Sequence, residues 1–268
     1  MRPWRSFTRT EWPQDWARTQ FNLGLALQGQ GVRSSGPEAT QLLEEAVDAY
    51  RAVLEIEDKT DLPLSWAQTQ NNLGAALSSL AGLSGGLEAT RLLGQEAEAY
   101  RAALEVYTKV DIPRQWALAQ SNLEAAMVRQ ADVSEGREAA TLLGQAVAAD
   151  RAALEVFTKA VQPQDWAQTQ FDLGVAQQEL GKPGEAEEAY RAALEVFDKA
   201  DSPQEWAQTQ GNLGSALDSQ WQQRGGAEGT HLLEQAVDSY RAALEVFTKS
   251  ALPDKWAGTQ DNLGRVLV

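Results

Sequence analysis

Trp66-Ala67-Gln68-Thr69-Gln70-Asn71-Asn72-Leu73-Gly74-Ala75-Ala76-Leu77 decides the fold, because it comes back. Its Trp-Ala start recurs at Trp16, Trp66, Trp116, Trp166, Trp206 and Trp256, at intervals of 50, 50, 50, 40 and 50 residues. Aligned without gaps, 66–115 and 206–255 share 28 identities in 50 positions. Self-similarity at such a period marks a tandem array of small supersecondary units. Within the stretch, Ala67, Leu73, Ala76 and Leu77 fall on one face of a helix, with Gln and Asn between them. A proline precedes each copy (Pro13, Pro63, Pro113, Pro163, Pro203, Pro253) and suits a first helical position. Ser202-Pro203-Gln204-Glu205 reads as a capping box. A glycine-containing break follows, as at Gly82, Gly85 and Gly86.

The spacing predicts a second, longer helix, from about Glu88 to Lys109 in the second repeat. Leu92, Leu93, Ala97, Tyr100, Ala103, Leu104 and Tyr107 sit at helical spacing along it. Arg101, Glu105 and Lys109 are each four apart and read as a solvated ladder on one helix face. The same trio recurs as Arg51, Glu55, Lys59, as Arg151, Glu155, Lys159, as Arg191, Glu195, Lys199 and as Arg241, Glu245, Lys249. The recurring Trp reads as a packing staple, since indole burial contributes a large apolar area. Trp4, Trp12 and Trp221 lie outside the pattern.

Tandem helix pairs bury their apolar faces only by stacking on their neighbours. With Leu173-Gly174, the turn glycine Gly181, and Ala186, Tyr190 and Ala193, the repeat at 163–202 resembles a tetratricopeptide repeat (TPR). The Asn-Asn-Leu-Gly and Ala-Leu-Glu-Val strings look most like the kinesin-light-chain branch and its bacterial relatives. The resemblance covers about residues 13–268. It implies an all-α fold, a right-handed superhelical solenoid of stacked antiparallel helix pairs. As one array, the repeats are about 13–62, 63–112, 113–162, 163–202 and 203–252, with a terminal half repeat at 253–268. A usual TPR has about 34 residues. Here ten more residues in most repeats carry the pairs Leu42-Leu43, Leu92-Leu93, Leu142-Leu143 and Leu232-Leu233, read as a loop plus about two helical turns. Successive extensions are expected to form a ridge, interrupted at the fourth repeat, which has no such pair. In the third repeat Glu124 replaces the first-helix glycine and Asp150 the second-helix aromatic. With no His or third acid converging, they read as a local splay near Arg129 or Arg151 rather than a metal or catalytic pair.

Composition excludes several chemistries. The chain has 268 residues and a net charge of -15, with 23 Lys+Arg against 38 Asp+Glu, which disfavours a nucleic-acid partner. Zero cysteines exclude disulfides, thiolate metal sites and a cysteine nucleophile. The one histidine, His231, aligns with Arg91 and reads as a surface residue. No apolar run reaches the roughly 20 residues of a membrane helix, and no apolar h-region follows Met1-Arg2-Pro3-Trp4-Arg5. The expectation is a cytoplasmic protein with no cofactor, no metal, no membrane and no catalytic site.

The resemblance implies that first helices line a concave face where a partner protein or peptide binds. Asn22, Asn72, Asn122, Asn212 and Asn262 precede the Leu-Gly, with Asp172 in that place in the fourth repeat. An Asn side chain offers both donor and acceptor. The row either pairs with the backbone of an extended peptide or bridges adjacent repeats. Gln68, Asn71, Phe21, Phe171, Gln168, Gln208 and Ser215 are expected beside it. Only Arg18 and Arg265 come near as basic residues, so a carboxylate clamp is not expected. The alternative functions are a structural array that self-assembles through its ends or its ridge, and a sensor or regulatory part of a larger bacterial effector. Phe7-Thr8-Arg9 aligns with Phe157-Thr158-Lys159, so the chain starts on the tail of a second helix; it finishes on a first helix whose Leu263, Val266 and Leu267 have no expected partner within the chain. The segment of a longer array, or an end-to-end contact between copies through residues 256–268, follows from that reading.

Overall fold

A computed structural model describes residues 8–225 and 229–267. Trp4, Phe7 and Val268 lie outside them. The described residues form eleven helices and no strand: α1 (Pro13–Gly31), α2 (Gly36–Leu54), α3 (Pro63–Leu83), α4 (Gly86–Leu104), α5 (Pro113–Asp132), α6 (Gly136–Ala153), α7 (Pro163–Glu179), α8 (Pro183–Ala193), α9 (Pro203–Arg224), α10 (Thr230–Leu244) and α11 (Pro253–Val266). They fall into two compact units, residues 1–139 and 140–268. In each, consecutive helices pack as TPR-like antiparallel pairs.

One close approach recurs inside the pairs. A Cβ added to Gly24, Gly74, Gly174 or Gly214 would lie 2.7, 2.7, 2.5 or 2.8 Å from Cε1 of Tyr50, Tyr100, Tyr190 or Tyr240. The glycine lets the first helix lie against the tyrosine ring of the second, and those tyrosines are at most 3% exposed. Glu124 and Asp150 hold the two corresponding positions of the third repeat, and both are buried, at 3% and 0%. Within unit 1, Arg129 pairs with Glu96, which is 0% exposed and stands where α2, α8 and α10 have alanine. Burial pushes the Glu96 carboxyl up, with Arg129 and Ser78 opposing. Arg151 pairs with Glu185 at 3.1 Å.

The second helices end earlier than their spacing suggests. α4 stops at Leu104, not Lys109. The chain then turns, with the Tyr107 amide donating to the Ala103 carbonyl at 2.9 Å. This turn tucks an aromatic under the next first helix: Tyr107, Phe157, Phe197 and Phe247 are 7%, 1%, 3% and 2% exposed. In unit 1, Tyr107 packs with Ala67, Ala103, Ala119, Trp66 and Trp116. Burying such a ring contributes on the order of 1.5–3 kcal/mol, more than the few tenths that another turn of surface ladder would give. The charged trio is therefore not a ladder along one helix. The closing Lys pairs with the Glu of the following repeat: Lys159 with Glu195 at 2.6 Å, and likewise Lys59 with Glu105 and Lys199 with Glu245. The Trp seven residues on is half-buried, a partial staple, and the same cation sits over it, at 6.0 Å for Lys159–Trp166 and 5.8 Å for Lys199–Trp206.

The capping box does not form. Ser202 makes no side-chain cap bond; its hydroxyl accepts the Asp198 amide at 3.2 Å, inside the preceding turn. The extensions read from the leucine pairs are present. α2 and α4 have 19 residues each, α6 has 18 and α10 has 15, against 11 in α8. In unit 1 their leucines are core rather than ridge surface: Leu43, Leu92 and Leu93 join Leu77, Leu80 and Ala81. At the short α8, the 22-residue α9 reaches across instead. Gln220 donates to Glu187 and, at 3.4 Å, to the Pro183 carbonyl, and Gln223 donates to the Gly181 carbonyl at 3.4 Å.

α11 also differs from expectation. Leu263 and Val266 are half-buried and pack on the cluster of Leu213, Leu217 and Tyr240, so both have partners within the chain. Only Leu267 of the three points out, at 60% exposure.

The glycines separate two effects cleanly. Gly74→Ala places a methyl 2.7 Å from a buried ring, whereas Gly264→Ala meets nothing within 4 Å. We expect Gly74→Ala to destabilise by about 1–3 kcal/mol and Gly264→Ala to stabilise by about 0.5–1 kcal/mol. Urea unfolding of the two variants against the parent checks both signs.

Candidate functional site

Within each unit, the first helices line a series of shallow hollows between successive pairs. In unit 1, Gln14, Arg18, Phe21, Ser65 and Gln68 line one of about 320 Å³. Leu64, Gln68, Asn71, Asn72, Tyr107 and Gln115 line a second of about 320 Å³. In unit 2, Gln168, Phe171, Phe197, Gln208 and Lys255 line a hollow of about 210 Å³. Gln208, Asn212, Ser215, Tyr240 and Asn262 line another of about 150 Å³, and Val175, Gln178, Glu179, Tyr190, Asn212 and Ser219 a third of about 420 Å³.

Helix geometry explains the grouping. Gln68, Asn71 and Asn72 are three and four apart, so they present side by side while Ala67, Leu73 and Ala76 face inward. Phe21 and Phe171 occupy the place of Asn71 and stand against Tyr50 and Tyr190, each with ring centroids 5.9 Å apart. The tyrosine hydroxyls reach polar partners: Tyr50 donates to Gln28 at 3.0 Å, Tyr190 to Gln178 at 3.1 Å and Tyr240 to Ser215 at 3.1 Å.

The Asn row is not uniform. Asn122 donates to Asn71 of the preceding repeat at 3.2 Å, a bridge between α3 and α5. Asn212 accepts from Gln208 at 3.3 Å and Asn262 from Arg265 at 2.9 Å. Asn22 is exposed on α1, and Asn72 is half-buried in its hollow. Asp172 accepts from Gln168 at 2.9 Å. Burial pushes the Asp172 carboxyl up to about 6, with the Gln168 bond opposing the shift.

Sequence reasoning passed over Lys255. Its Nζ donates to Gln208 Oε1 at 2.5 Å, lies 5.3 Å from the Phe247 ring centroid and lines two hollows of unit 2. The signal was there: this groove position varies as Ser65, Gln115, Asp165, Glu205 and Lys255 while its neighbours repeat. Away from the hollows, His231 is on the surface beside Gln235 at 2.9 Å and Glu234 at 3.9 Å. Trp221 is half-buried against Gly229, where a Cβ would lie 2.3 Å from Cδ1. Among the described residues, no three His, Asp or Glu are grouped to hold a metal, and no helix is long and apolar enough to cross a membrane.

Asp172 gives the site a pH signature. In the unfolded chain its carboxyl titrates near 3.8, below its folded value of about 6. Between those values the folded state keeps a proton that the unfolded state has lost. Its contribution is complete below the window and declines as pH rises through it. Asp172→Asn is therefore expected to match the parent near pH 4 and exceed it at pH 8 by about 1–2 kcal/mol, allowing for partial solvent screening. Urea midpoints across that range test the difference.

No family model matches the sequence, and no curated protein matches it. Solved structures do share the fold. The MamA protein superposes with a TM-score of 0.55 at 18% identity, covering 88% of this chain and 94% of that one. TTC0263, a thermophilic TPR protein of Thermus thermophilus, gives 0.54 at 18% identity, over 92% and 98%. BtubC (BKLC) from P. vanneervenii gives 0.50 at 16% identity, over 85% and 89%. At these identities the likeness establishes the fold, and this chain has the TPR-like all-α fold.

Proposed function

We propose that the chain is a non-enzymatic protein-interaction scaffold that holds an extended peptide segment of a partner along its first helices. One observation carries the reading: within each unit, successive hollows share amide side chains and an aromatic wall. Amides supply both donors and acceptors, so such a wall suits peptide backbone more than any one charged side chain. Rings beside them offer flat apolar area to alternate side chains of an extended strand. The net charge of -15 argues against a phosphate-rich partner. Lys255 lines a unit 2 hollow together with Glu205 and the amides of Gln168, Gln204 and Gln208, and this cation supports a contact to a carboxylate side chain at that point.

Asn122 and Asn72 are expected to part company. Asn122→Ala removes the bond to Asn71 and should lower stability by about 0.5–1.5 kcal/mol. Peptides selected from a displayed linear library on the full chain provide the binding readout. Gln68→Ala with Asn72→Ala, or Lys255→Glu for acidic peptides, is expected to weaken them about tenfold with the melting temperature little changed. Selected peptides that bind all these variants as tightly as the parent would put the partner surface elsewhere.

A further inference from the structure

One position inside the groove breaks the rule of the other repeats. The turn after each later second helix buries an aromatic, Tyr107, Phe157, Phe197 or Phe247. In the first repeat Glu57 stands there instead, and it is 7% exposed. A carboxylate forgoes the apolar burial that the rings supply and is costly to take out of water. The exchange also opens space. Glu57 lines a hollow walled by α1 and α3, of about 320 Å³. Its counterpart in unit 2, walled by α7 and α9 and lined by Phe197, has about 210 Å³.

The chain does little for this buried carboxylate. Ser65 Oγ donates to Glu57 Oε2 at 2.6 Å, and a carboxylate has room for about four such donors. Arg18 lines the same hollow, but it is bound to Asp15 at 2.7 Å and its side chain is 71% exposed. Asp15 and Arg18 offset each other, so Glu57 sets the sign of the lining. Phe21 and Leu62, both half-buried, give the hollow apolar walls.

We propose that this hollow takes a lysine or arginine side chain of the partner, its charged head on Glu57 and its aliphatic stem along Phe21 and Leu62. Its occupant belongs to the extended segment proposed above, and to that extent the pocket rests on that reading. Long basic side chains lay their stems on apolar surface and keep their heads among polar groups. A cation gains both from a carboxylate and from an aromatic ring. The net charge of -15 draws a basic segment towards the chain. An acidic side chain here is repelled by Glu57, and an apolar one leaves Glu57 buried without a cation.

The test titrates the full chain, labelled with nitrogen-15, with N-acetyl-lysine methylamide and with its norleucine counterpart. Saturable shifts at the side-chain amides of Gln14 and Gln68 are expected in the millimolar range with the lysine compound, and not with norleucine. Glu57→Gln keeps the shape and an acceptor for Ser65, and is expected to weaken the lysine compound at least about tenfold. Glu57→Phe restores the residue type of the later repeats; it is expected to abolish the binding while raising the melting temperature. A Glu57 that serves only the fold does the reverse. Both variants then melt earlier with lysine binding unchanged, which overturns the proposal. Shifts that are equal for the two compounds, or absent for both, overturn it as well. Peptides selected on the full chain are expected to carry a Lys or Arg whose replacement by Leu costs about tenfold on the parent and nothing on Glu57→Gln. Selected peptides without such a residue overturn the pocket and leave the peptide groove standing. Lysine binding with no peptide selected keeps the pocket and ends the peptide groove.

Discussion

A methyl group has no room between the first helix of a pair and the tyrosine of the second. At Gly24, Gly74, Gly174 and Gly214 an added Cβ would fall 2.5–2.8 Å from the ring. That contact sets how near the two helices lie and which way each turns, so the other packing positions follow from it. Alanines of α3 and α4 such as Ala67, Ala76 and Ala103 are 0% exposed at the resulting short separation. Larger side chains there would push the helices apart, and close-packed interiors tolerate little added volume. The small residues and the large ring are one device, in which volume taken from one helix is occupied by the other.

Between pairs, the hierarchy of forces is different. Buried aromatics at Tyr107, Phe157, Phe197 and Phe247 supply the apolar contact at the turn into the next repeat. The Lys–Glu pairs outside them are about half exposed, as for Lys159 and Glu195 at 50% and 57%. Such pairs are worth roughly 0–1 kcal/mol each. Their value lies more in register: Lys159 and Lys199 each touch the Trp seven residues on and the Glu of the following repeat, so a slipped stack would lose both contacts together.

Much of this was legible in the residues, and the failures have physical causes. The 50-residue period, the paired helices and the leucine-rich extensions follow from spacing, because helical periodicity is a local property. The Arg-x3-Glu-x3-Lys series misled, since its spacing also suits neighbours on one helix. The aromatic between its Glu and its Lys, Tyr107 in the second repeat, is buried where the chain turns, and the lysine then meets the following repeat. Ser202 looked like a cap, but its hydroxyl is engaged by Asp198 behind it. Leu263 and Val266 looked unpartnered because their partners, Leu213 and Tyr240, lie one repeat back. For the hollows, the side chains were readable and their grouping was not. Asn71 and Asn122 are far apart in sequence and bonded in space. Lys255 was passed over because it breaks the pattern instead of repeating it.

The fourth repeat shows what is essential to one link of the array. It lacks ten residues, yet keeps Gly174 against Tyr190, Phe197 in the core and Lys199 against Glu245. The extension is therefore an accessory module, separable from the stacking grammar. Unequal exchange between neighbouring copies of the gene can change repeat length or number without disturbing the joints, provided both breakpoints fall at the same point between glycine and tyrosine. An array built this way can alter its reach, and the side chains it offers at each hollow, one link at a time.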